Sequence, residues 1–158
     1  MKPVTVSTLK NELENYSQKE LIDICLKLAK FKNENKELLT YLLLDSQDED
    51  EYIRGIKEQI DAEFSTLNQD GLYFVKKSTR KILRNVKKYI RYSKKKETEA
   101  TLLLYFCIKL KKINPTYLRS QQIINMFDAQ LTMAKKAIGT LHEDLRSDYN
   151  QDLETLGH

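Results

Sequence analysis

The chain has 158 residues, 41% of them hydrophobic, and a formal net charge of +4, a length that supports one domain with a true core and is short for two. A charged fraction of 32% with only four Gly and two Pro is the composition of a helix-dominated chain, because strands and tight turns need more turn formers than this. Two cysteines exclude a disulfide framework, and the longest apolar run, 102–108, falls far below the roughly 20 residues that span a bilayer. Met1-Lys2-Pro3-Val4 opens no apolar signal segment, so the expected location is cytoplasmic.

A first helix is expected over about 7–16, with Leu9 and Leu13 on one face. Ser17-Gln18-Lys19-Glu20 is a capping box, in which the Ser hydroxyl and the Glu carboxylate satisfy backbone donors at a helix start. Leu21, Ile22, Cys25, Leu28 and Ala29 continue it at helical spacing. Residues 33–35 read as an interruption, after which Leu38, Leu39, Leu42 and Leu43 define a third helix that ends in the acidic run 45–51. Three helices in so short a span imply antiparallel hairpins with short connections.

A fourth helix over 48–64 carries Ile53, Ile56, Ile60 and Phe64 as an inward stripe, while 45–63 holds eight acids against Arg54 and Lys57. Asn68, Asp70 and Gly71 mark a loop, and Ser78 is read as the N-cap of a fifth, basic helix. This basic segment is the chain's most unusual feature. Eleven of the 27 Lys and Arg lie within 76–96, a stretch with no Asp or Glu, so the rest of the chain carries −7. At about 100° per residue, Lys76, Lys77, Arg80, Lys81, Arg84, Lys87, Lys88, Arg91 and Lys95 fall within less than half the helical wheel. Val75, Ile82, Leu83, Val86, Tyr89 and Ile90 fall opposite.

From Thr98 the pattern is apolar nearly all round, through Leu102, Leu103, Leu104, Phe106, Cys107, Ile108 and Leu110, as befits a helix at the centre of a bundle. Asn114-Pro115 ends it, since Pro cannot continue the hydrogen-bond ladder. Beyond lies one long helix or two collinear ones, in which Ile124, Phe127, Leu131, Ala134, Ile138, Leu141 and Leu145 alternate steps of three and four, a heptad seam. Gly139 sits beside the seam and permits a break. No internal repeat of fixed period is present. The expected fold is therefore an all-α bundle of six or seven helices over 1–158, a single domain, mostly antiparallel hairpins with a long C-terminal helix.

Chemistry finds little footing. His142 and His158 have no partner at metal-ligand spacing, the four glycines are isolated, and Cys25 and Cys107 form no Cys-x-x-Cys. The acidic run 48–51 lacks the EF-hand spacing and is better read as a helix start that favours negative charge. No catalytic residue, metal or cofactor is expected, and the chain is expected not to be an enzyme.

Leu9-Lys10-Asn11-Glu12-Leu13, Tyr16-Ser17-Gln18-Lys19-Glu20-Leu21-Ile22, Glu37-Leu38-Leu39 and Ile56-Lys57-Glu58-Gln59-Ile60-Asp61-Ala62-Glu63-Phe64 carry a likeness. Over about the first 90 residues the chain resembles a family of small, uncharacterised, all-helical bacterial proteins. The resemblance implies a helical cytoplasmic protein and no catalytic motif.

Two binding modes are open. The first is a protein partner or homodimer through the seam at Phe127, Leu131, Ile138 and Leu141. The alternative is sequence-independent nucleic-acid binding by Lys77, Arg80, Lys81, Arg84, Lys87, Lys88, Arg91 and Lys95, with Tyr92 at the edge of the arc as a stacking candidate. Six like-charge pairs at i,i+4 destabilise that helix by roughly 1–3 kcal/mol in all, which burial of its apolar side offsets at about 1.5–3 kcal/mol per side chain. The basic face is thus stable without a ligand. A solvated face, or one neutralised by 45–63 or 143–154, accounts for it equally, as would docking on an anionic membrane surface or an acidic protein. Charge counts do not separate these.

Overall fold

A computed structural model describes residues 1–157. About 80% of the chain is helical, and no strand occurs among the described residues, so the all-α bundle expected from the sequence is the fold; the described residues form ten α-helices rather than six or seven, because three of them are short segments of four to six residues. By internal packing the chain falls into two compact units, Met1–Leu44 and the remainder from Asp45, where the sequence reads as one domain over 1–158.

The first unit holds α1 (Val6–Leu13), α2 (Gln18–Phe31) and α3 (Asn33–Leu43). The capping box forms as expected: the Glu20 amide donates to Ser17 Oγ at 3.3 Å and the Ser17 amide to Glu20 Oε2 at 2.7 Å. Residues 33–35 are not an interruption but the first turn of α3. The break is the single extended residue Lys32, at φ −140°, ψ 142°. Asn35 explains why so short a connection suffices, because its Nδ2 donates to the Leu28 carbonyl at 2.8 Å. That carbonyl is one of the four that the end of α2 leaves without an intrahelical partner.

The second unit begins with a 3-10 turn, Asp45–Gln47, and continues through α4 (Glu49–Ser65), α5 (Leu72–Ser93), α6 (Lys96–Leu110), α7 (Pro115–Leu118) and α8 (Gln121–Gly139). It closes with α9 (Glu143–Arg146), a second 3-10 turn (Ser147–Tyr149) and α10 (Asn150–Thr155). Helix α6 is the axis. Leu102, Leu103, Leu104, Phe106, Cys107 and Leu110 are fully buried on it, enclosed by Ile56 and Ile60 of α4, Ile82, Leu83 and Val86 of α5, and Ile123, Leu131, Ala134 and Ile138 of α8. A helix apolar on every side has to be surrounded on every side.

Helix α5 starts at Leu72, six residues before the expected cap at Ser78. Gly71 takes φ +146°, a backbone state open to glycine and strained for other residues, so the chain swings from the loop straight into the helix. Its end is sharp as well: Lys94 adopts the left-handed conformation at φ 59°, and its amide closes on the Ile90 carbonyl at 2.8 Å.

The long C-terminal helix is also shorter than expected. It stops at Gly139, and Arg146 folds back to donate from Nη2 to the Gly139 carbonyl at 2.9 Å and from Nε to the Leu141 carbonyl at 2.7 Å. A cation that satisfies carbonyls at a helix C-terminus stabilises the stop. The acidic tail therefore does not run on collinearly. It returns to α6, where the Tyr149 hydroxyl donates to the Glu97 carbonyl at 3.2 Å and Lys111 Nζ to the Leu156 carbonyl at 2.6 Å.

Candidate interaction surfaces

Helix α5 presents its apolar arc to the core and its basic arc to solvent. Val75, Thr79, Ile82, Leu83 and Val86 are buried, whereas Lys77, Arg80, Lys81, Arg84 and Arg91 are exposed and Lys87 is half-exposed. Whether the acids of 45–63 cover that arc is decided by where they point. Glu51 and Glu58 flank Arg54 on α4's own surface. Asp61 accepts from Lys109 Nζ at 2.6 Å and from the Tyr105 hydroxyl at 2.7 Å, both on α6. Burial raises the Asp61 pKa, but those two bonds outweigh it and hold the carboxylate below its ordinary value.

Glu49 serves the joint between α5 and α6. It accepts from the Thr98 hydroxyl at 2.5 Å, from the Ser93 hydroxyl, and pairs with Lys95 Nζ at 3.2 Å. Glu63 reaches only Asn85 on α5, at 3.5 Å. Glu49, Glu51, Glu58 and Asp61 are thus engaged elsewhere, and Tyr149 and Leu156 tie the tail to α6. Among the described residues Lys77, Arg80, Lys81, Arg84, Lys87 and Arg91 enter no ion pair.

Three residues grouped with that face by the sequence depart from it. Lys95 lies past the left-handed Lys94 and turns back to Glu49. Lys88 stands 4.8 Å from the ring centroid of Tyr89. Tyr92 is half-buried, its ring in T-shaped contact with Tyr89 at 6.1 Å. Two aromatics that the sequence reading passes over do stand out: Tyr73 is 65% exposed and Phe74 is 44% exposed, in mutual edge contact at 5.3 Å. A helix start at Ser78 leaves both in a loop. Continuing the wheel back to Gly71 is the signal that places them on the helix.

The heptad seam is a core face. Leu131 and Ile138 are buried in the core cluster, Phe127 packs on it, and Leu141 is half-buried where α8 ends. Alternating steps of three and four show that a face is apolar, and here α6 covers it.

Open apolar surface lies instead in the first unit. Only Ala29 and Tyr41 are buried in 1–44, while Ile22, Leu26, Leu28, Phe31, Leu42 and Leu43 are each at least 46% exposed. Between α2 and α3 runs a cavity of about 240 Å³ lined by Cys25, Leu28, Ala29, Asn35, Leu38, Leu39 and Leu42.

Cys107, the other cysteine, is sealed in the core. Burial pushes its thiol up to about 12, so it stays protonated at neutral pH and lacks the thiolate that nucleophilic chemistry requires. Among the described residues no helix is long and apolar enough to cross a membrane. No protein-family model, curated protein or solved structure matches the chain.

Proposed function

We propose that this chain is a non-catalytic helical interaction module that pairs with a second copy of itself through the open face of its α2–α3 hairpin. The observation that carries this reading is the mismatch in the first unit between apolar surface and burial: two buried side chains against six large apolar ones left open on α2 and α3 alone. A hairpin of two amphipathic helices is a single layer, and a layer is stable once a second covers its apolar side. Two such hairpins related by a two-fold axis form a four-helix bundle, in which each copy offers the same patch.

Charge and shape favour a copy over an unlike partner. Residues 1–44 carry seven Lys against six acids, so two hairpins approach with only weak net repulsion. The groove is lined by the small side chains of Cys25 and Ala29 as well as by Leu28 and Leu42, a mix of sizes that lets the leucines of one copy seat in the gaps of the other. Removing roughly 1,200 Å² or more from water is the scale a specific pair requires.

Light scattering after size exclusion tests the reading. The wild-type chain is expected to run as a dimer at micromolar concentration, and Leu28→Lys with Leu42→Lys to run as a monomer with its helicity kept. Mild oxidation is expected to link the dimer through Cys25, since Cys107 is buried. A wild-type chain that stays monomeric at hundreds of micromolar ends the proposal.

A further inference from the structure

We infer that α5 is a docking ridge for single-stranded nucleic acid, a site separate from the hairpin surface and with a different partner. Lys77, Arg80, Arg84, Lys87 and Arg91 succeed one another at steps of three and four residues. They therefore form one straight row along the helix, with a cation about every 5 Å. The row is open to solvent, and none of its members has an acidic partner among the described residues.

Tyr73 stands 18 residues before Arg91, five full turns at about 100° per residue, and so heads the same row. With Phe74 beside it, the row ends in two exposed rings in edge contact. An exposed ring gains from a base only if the base offers a free face. Bases in a duplex are already stacked, whereas those of a single strand are not. Cations spaced for a phosphate chain and rings at one end thus select a single strand. Contacts to phosphates carry no base identity, so recognition through this row is independent of sequence.

The competing anionic partner is a membrane surface, which an interfacial helix enters with its apolar face. That face of α5 is unavailable, since Val75, Ile82 and Val86 are at most 3% exposed in the core.

Fluorescence anisotropy of labelled oligo(U) and oligo(dT) against a duplex of equal length tests the site, with phosphatidylserine vesicles as a further arm. Both single strands are expected to bind more tightly than the duplex. If the five cations are all neutralised, log affinity against log salt should fall with a slope of about −3.5, at roughly −0.7 per phosphate. Comparing oligo(U) with oligo(dT) shows whether RNA or DNA is preferred.

Arg80→Gln with Arg84→Gln and Lys87→Gln should weaken single-strand binding at least tenfold and flatten the slope by about 2. This triple variant removes four of the five like-charge i,i+4 pairs within α5, so its circular dichroism should match wild type or gain in stability. Tyr73→Ala with Phe74→Ala should weaken single-strand binding about five- to hundredfold, with the slope and the duplex affinity unchanged. Unchanged affinity in the folded Gln variant overturns the ridge. Unchanged single-strand affinity in the Ala variant, a duplex bound as tightly as the single strands, or vesicles bound in preference to them overturns the assignment to single strands.

Discussion

Glu49→Ala should be the most damaging single change at the surface of the second unit. The carboxylate, in the first turn of α4, takes the Thr98 hydroxyl at 2.5 Å, the Ser93 hydroxyl, and Lys95 Nζ at 3.2 Å. Thr98 is fully buried, so truncation strands a buried donor, at about 1–3 kcal/mol. The Lys95 pair is half-open to water and contributes about 0–1 kcal/mol. Loss of a negative charge from the first turn of α4 removes about 0.3–1 kcal/mol more. Together these give about 1–5 kcal/mol, read as a drop in the urea midpoint with the slope unchanged. Glu58→Ala is the control: its partner Arg54 is exposed on the same helix, and the expected change is below about 0.5 kcal/mol. Equal midpoints for Glu49→Ala and Glu58→Ala would refute the argument that buried hydroxyls, rather than charge pairing, make Glu49 important.

Four further outcomes are expected. Asp61 titrates below its ordinary value of 3.8 when folded, so its contribution is complete above that pH and is lost as pH falls through the lower folded value; Asp61→Asn should flatten the acid limb of stability measured by urea melts across pH. Lys109, its partner, is raised above 10.5 by the Asp61 bond, so its contribution is complete below that pH and is lost as pH climbs through the higher folded value; Lys109→Met should flatten the alkaline limb in the same melts. Gln130 is 4% exposed, and its Oε1 has no hydrogen-bond partner among the described residues; Gln130→Met should raise the melting temperature by relieving about 1–3 kcal/mol of desolvation, and a lower one would mean that the amide is satisfied. In dilute native protein a thiol reagent should modify Cys25 at once and Cys107 only on unfolding, with mass spectrometry of the peptides as the readout.

Much of the fold was legible because helix signals are local. Ser17 and Glu20 meet within one turn, the inward stripe of α4 is a matter of spacing, and α6 could only be central once it was apolar on all sides. The errors share one cause, which is that helix ends depend on more than the residue that looks like a cap. Ser78 has the chemistry of an N-cap, yet Gly71's positive φ allows an earlier start. The C-terminal helix ends at Gly139, where the sequence permitted a break, but its tail is not collinear, because Arg146 reaches back seven residues to the Gly139 carbonyl. The Phe127 to Leu141 seam is apolar as read and lies against the core rather than open to a second chain.

The sequence by itself determined that this protein is helical, where most of its helices lie, and that one of them carries a pure cationic arc, because periods of three and four residues are properties of a single helix. Only the tertiary structure decided which faces stay open. Glu51 and Glu58 turn toward Arg54, Asp61 toward α6 and Glu49 toward the α5–α6 joint, the tail returns to α6, and Lys77, Arg80, Lys81, Arg84 and Arg91 are left to solvent. An acid and a base far apart in sequence meet only where helix packing brings them together, and neither charge counts nor spacing encodes that placement.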